Sequence, residues 1–222
     1  MAAGLAGNRG AGGLGRSAED RRYGAVSMAL HWAIAALILI QIGLGWYMNE
    51  GGVPDHSPAQ DQIQDIHVTI GLTTLILVLV RIGVRLTHPA PPLPRTLALW
   101  ERVLARASHW LFYILLLVMP LTGWALVSIR HEDIPFWGLA WPAMPILSTL
   151  SKPEAHALGR EVKHFHVYIL VWIALINLAL HVAGALKHQF DGSPVLWRML
   201  PLLRRPAVSP SPGLHDQGPP PA

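Results

Sequence analysis

Four stretches of this chain carry no formally charged side chain. Residues 23–49, 66–80, 107–129 and 164–186 contain no Asp, Glu, Lys or Arg. A helix needs about 20 apolar residues, rising 1.5 Å each, to cross a hydrocarbon core of roughly 30 Å. Three of the windows are long enough as they stand. The second is interrupted by Arg81 and Arg85. It reaches crossing length when read to Arg85, because an arginine near a helix end can snorkel to the headgroups. A buried or re-entrant helix is the alternative for that window. Composition agrees with a membrane setting: 52% of the residues are hydrophobic and 14% charged, where a soluble domain carries about 25% charged. The expected fold class is an all-α membrane protein, a bundle of four transmembrane helices.

The basic residues predict its orientation. Thirteen of the 17 Lys and Arg fall in the N-terminal tail, in the connection between the second and third spans, and after the fourth span. The opposite side has Arg130, Lys152, Arg160 and Lys163. The positive-inside rule then places both termini in the cytoplasm. The pI near 9.9 is therefore a topological signal and not one for nucleic acid. Residues 1–22 are Gly/Ala-rich without the apolar core of a signal peptide, and 202–222 are Pro-rich. Both read as disordered tails around one domain, 23–201. There is no cysteine, which excludes disulfides, thiolate metal sites and covalent haem attachment.

Twelve histidines remain to carry chemistry. The run HVYILVWIALINLALH begins with His166 and ends with His181, and a polar ring inside a membrane tends to mark function. Fifteen residues turn a helix by about 1500°, about 60° from alignment, with a rise of about 22 Å. Both rings can face one bundle interior at two depths. His164 is roughly 100° off and faces elsewhere. His31, in the first span, lies at the depth of His181, roughly 8 Å from the cytoplasmic face. His67, at the start of the second, lies at the depth of His166. A zinc or copper ion would want three or four protein ligands. A haem needs two, on opposite faces of a macrocycle that supplies the other four nitrogens. Two histidines at each of two depths suit two stacked b-type haems. Gly43, Gly45, Gly71 and Gly184 could make room for the rings, although glycine is common in membrane helices for close packing alone.

The motifs RYGAVSMALHW, IHVTIGLTTLILVLVRIGVRLTHPAPPLP, HWLFYILLLVMPLTGWALVS and HVAGALKHQFDGSPVLWRMLP, in this order over about residues 22–201, resemble the bacterial cytochrome b561 family. The resemblance implies a small di-haem cytochrome of the bacterial inner membrane. Its haem ligands carry over to His31, His67 and His181, paired His31 with His181 and His67 with the fourth. That fourth ligand falls on His166, with His164 the alternative. The family's usual spacing to the last ligand is one residue shorter and would land on Val167.

Bis-histidine iron leaves no open position for oxygen, so electron transfer is the expected chemistry. The resemblance adds a ubiquinone-type quinone on the cytoplasmic side. Trp32 and His188 are candidates for its pocket, as an aromatic wall and an imidazole that exchanges a proton near neutral pH. Both are also ordinary interfacial residue types. His109 is a weaker candidate. The connection 130–163 reads as a lid with an aromatic segment, and Arg160 and Lys163 could attract a small anion. The family includes oxidation of superoxide with transfer of the electron to quinone, so a superoxide:quinone oxidoreductase is one reading and a periplasmic redox partner another. A cytochrome anchor subunit for a dehydrogenase or hydrogenase, or a histidine-lined metal transporter, are the rivals.

Overall fold

A computed structural model describes residues 22–51, 54, 57–93, 97–191 and 196–200. Residues 1–21 and 201–222, and with them nearly all of both expected tails, lie outside the described residues. Local signals set the helix ends. Helix α1 (Ala25–Glu50) runs through the first charge-free window and stops at Gly51, whose N–H closes on the Tyr47 carbonyl at 3.0 Å. Helix α2 (Pro58–Thr87) starts at Ser57, whose hydroxyl accepts the Gln60 N–H at 3.3 Å, with Pro58 in the first turn and Asp61 at its positive end. Helix α3 (Leu99–Ile129) begins where the Glu101 carboxylate accepts the Ala98 N–H at 2.9 Å.

The fourth rod is not one regular helix. It opens as α4 (Lys152–His164) from a capping box of Ser151 and Glu154, passes through a π-helical turn (Phe165–Leu170), and continues as α5 (Val171–Phe190). All four rods are long and apolar enough to cross a membrane. The second window is a full-length crossing of 30 residues, not a re-entrant piece. Arg81 donates to the Ser27 carbonyl of α1 at 2.9 Å, so this arginine is spent between helices and not on the headgroups. Helices also run well past the charge-free windows. His67 is the tenth residue of α2 and His109 the eleventh of α3, deeper along their helices than the windows suggest.

Helix α2 packs between α1 and α3, and α3 packs against the fourth rod. Little of this surface is self-buried: 6% of the apolar window of α1, and at most 22% of any other. Side chains such as Leu39, Ile176 and Leu180 stand outward, and lipid is the solvent that satisfies them. A small core lies where α2 and α3 meet the 130–150 connection, around Leu72, Val127 and Ile134, with Trp124, Phe136 and Trp141 packed on it. That connection folds as a hairpin of β1 (Pro135–Phe136) and β2 (Leu139–Ala140), paired antiparallel. Trp137 at its tip adopts φ +51° and its indole donates to Thr73 of α2 at 2.9 Å. The expected aromatic cover is thus present, but the last third of the connection is helix α4. At the other end, residues 196–200 fold back beneath α1: Trp32 donates to the Met199 carbonyl at 2.8 Å, and Arg198 to that of Pro92 at 2.8 Å.

Candidate functional site

Three rods bring the histidines together in twos. The rings of His31 (α1) and His181 (α5) have centroids 6.4 Å apart at an interplanar angle of 65°. Those of His67 (α2) and His166 (π turn) are also 6.4 Å apart, at 74°. A metal–imidazole bond of about 2 Å on each side of one iron, plus about 1.1 Å from each nitrogen to its ring centre, makes roughly 6.2 Å between centroids. Both pairs have the spacing that one iron between two imidazoles requires. Among the described residues no three His, Asp or Glu side chains converge as ligands for a metal ion. The donor set is thus two imidazoles per level, which suits a group that brings its own remaining donors.

The His67–His166 pair, the outer one in the orientation expected from the basic residues, is held from several sides. The hydroxyl of Thr122 (α3) donates to the Met119 carbonyl at 2.8 Å and lies 2.8 Å from His166 Nδ1. A hydroxyl that spends its proton on a carbonyl can only accept from the ring. Nδ1 therefore carries the proton, and Nε2 keeps its lone pair. His67 is held through its backbone: Gln41 (α1) donates to its carbonyl at 2.9 Å. The His67 Nδ1 is buried and has no hydrogen-bond partner among the described residues. Glycines shape the walls. A Cβ on Gly45 would meet His67 Cε1 at 3.6 Å, and one on Gly123 would meet His166 Cε1 at 3.4 Å. Of the glycines singled out from sequence, Gly45 lies against a ring, while Gly71 instead admits Gln41, whose Nε2 would be 2.9 Å from its Cβ. Gly43 and Gly184 have nothing within 4 Å of a built Cβ.

The inner pair is surrounded by ring edges. Trp32 meets His31 at 5.3 Å, and His181 is met by His109 at 5.4 Å and by Phe112 at 5.2 Å, all edge-on. His109, read from sequence as a weaker candidate for a quinone pocket, therefore stands in contact with the His31–His181 pair. It stands close to the depth assigned to His31, and that same depth comparison finds it. Just above, Ser108 Oγ donates to Asn177 Oδ1 at 2.9 Å, and Asn177 Nδ2 to the Ser108 carbonyl at 3.2 Å. Thr122, Gln41, Ser108 and Asn177 were not singled out from sequence. Their signal is their polarity inside charge-free windows, which marks them as tied across helices.

The remaining candidates are dispersed. His164 points away from the outer pair, exposed and against Tyr168 at 5.4 Å. Trp32 is 43% exposed. His188 is half-buried, within coulombic reach of Glu101 and next to Lys187, which bridges Glu101 at 2.9 Å. Arg160 and Lys163 are exposed on α4, with Arg160 3.7 Å from Glu161.

Residues 22–202 match the family of prokaryotic cytochrome b561. The chain belongs to that family. It is 29% identical over 181 residues to cytochrome b561 homolog 2 of Escherichia coli K12, covering 81% of this chain and 91% of the relative. A probable superoxide oxidase, CybB, of Yersinia pestis is 26% identical over 187 residues, 83% and 98% of the two chains. Cytochrome b562 of Cereibacter sphaeroides is 30% identical over 157 residues, 68% and 91%. This cytochrome b561 is thus a haem-binding electron-transport protein crossing the bacterial inner membrane four times.

Proposed function

We propose that this cytochrome holds two b-type haems, one between His31 and His181 and one between His67 and His166, and moves electrons across the bilayer between an outer-face redox partner and the quinone pool. The observation that carries this reading is the repetition of one geometry: two histidine pairs with the same 6.4 Å centroid separation. They are set about 22 Å apart along the fourth rod. Bound b haem supplies one-electron chemistry, and two imidazoles on one iron leave no position for oxygen. The protein's own residues fix the pairs, exclude water with apolar helices, and hold the rings edge to edge. With the basic residues facing the cytoplasm, both termini lie inside, the His31–His181 level is the inner one, and the outer level lies under the β-hairpin.

Quinone fits the inner side. There Trp32 beside His31 supplies an aromatic wall and His109 an imidazole beside His181, while His188, next to the Lys187–Glu101 bridge, is the further candidate for proton exchange. Superoxide is a suitable outer donor. Each gives up one electron to become O2, and a quinone takes two electrons and two protons. Similarity to the Yersinia relative, named a probable superoxide oxidase, supports that choice over a protein donor. The decisive measurement is a pyridine haemochrome titration. Two haems per chain are expected, falling by about one for each of His31→Ala, His67→Ala, His166→Ala and His181→Ala, with no loss for His164→Ala. A single haem, or loss in His164→Ala, defeats the assignment.

A further inference from the structure

The ligand at position 166 sits where two irregular helices face each other. Pro120 interrupts the ladder of α3, because it has no N–H to give. The π turn Phe165–Leu170 widens the fourth rod by one residue at the same level. Thr122 lies between them. Threonines in membrane helices commonly bond back to their own helix, as Thr73 and Thr74 do to the carbonyls of Thr69 and Ile70, both at 2.8 Å. Thr122 makes that bond to Met119 and also reaches a ring on another rod. The Met119 carbonyl itself lies against the same ring.

We propose that Thr122 is a positioning residue for the outer haem: by accepting the Nδ1–H of His166 it aims Nε2 at the iron and lowers that haem's reduction potential. This rests on the two-haem reading above. A donated Nδ1–H makes Nε2 the more basic nitrogen, and a more basic ligand favours ferric over ferrous iron. Among the described residues no other threonine hydrogen-bonds a ring of either pair.

The test is a redox titration of the full-length protein carrying Thr122→Val, which keeps the branched shape and removes the hydroxyl. The outer haem is the one that His166→Ala removes. Its potential rises in Thr122→Val by about a tenfold change in the reduction equilibrium, or about 59 mV for one electron. The inner potential stays put, and Thr122→Ser returns the outer one to the parent value. An unmoved outer potential in Thr122→Val, or the same rise in Thr122→Ser, overturns the proposal while leaving two haems intact. Should Thr122→Val shed the outer haem, Thr122→Ser must restore it, and failure to do so also overturns it. A parent with one haem, or His166→Ala with two, overturns this proposal together with the reading beneath it.

Discussion

The outer and inner histidine pairs share one spacing but are built differently. At the outer pair, hydrogen bonds do the holding: Thr122 fixes the His166 ring, and Gln41 fixes the backbone that carries His67. At the inner pair neither ring makes a hydrogen bond among the described residues, and the neighbours are the edges of Trp32, His109 and Phe112. The outer arrangement fixes the tautomer and direction of the His166 ring, as the proposed electron-transfer role requires. The inner arrangement adds a second imidazole and an indole beside its ligands, which suits a site where protons are exchanged with a quinone.

The sharpest way to break this contrast is to alter the π turn. Deleting Val167 removes the one residue that the turn accommodates, so the rod becomes regular and 14 residues separate the ligands. They then lie about 40° from alignment, little changed. Both haems are retained by haemochrome assay. Deleting Ile173 from the regular part of α5 instead rotates His181 away by about 100° and costs a haem. Next in size, His109→Phe keeps both haems and the outer potential but slows quinone reduction by about tenfold or more, because it removes the imidazole proposed to exchange protons beside His181. Stopped-flow reduction of a quinone analogue measures it.

A smaller effect falls on stability. Asn177→Leu removes the tie between α3 and α5, worth about 0.6 to 1.7 kcal/mol in a membrane bundle. That lowers Tm by a few degrees, about 2–4 °C per kcal/mol for a chain of this size. The smallest concerns the outer surface. Segments 50–65 and 130–163 hold eight acidic residues against four basic ones, so attraction of an anion there must be local. Reversing Arg160 and Lys163 to Glu lowers the rate with superoxide a few-fold at low salt. The difference disappears near 1 M, where the Debye length is about 3 Å.

The alternation of charge-free windows with arginine-rich connections pointed by itself to four apolar rods, because that arrangement keeps the few charges out of hydrocarbon; that the second window is a full-length helix and not a re-entrant piece was decided by the structure. It also paired His31 with His181 and His67 with His166 by depth, since rise per residue is fixed by helix geometry, although the windows set His67 and His109 too near their helix ends. The one-residue departure between His166 and His181 was visible too, but a regular helix was assumed, and the π turn at Phe165–Leu170 was not legible. The partnership of Thr122 with His166, of Gln41 with His67, and of His109 with His181 belongs to the tertiary structure alone. Those contacts depend on how each rod is rotated about its own axis, and in lipid that rotation is set by packing and polar ties between rods, not by a hydrophobic stripe that a sequence displays.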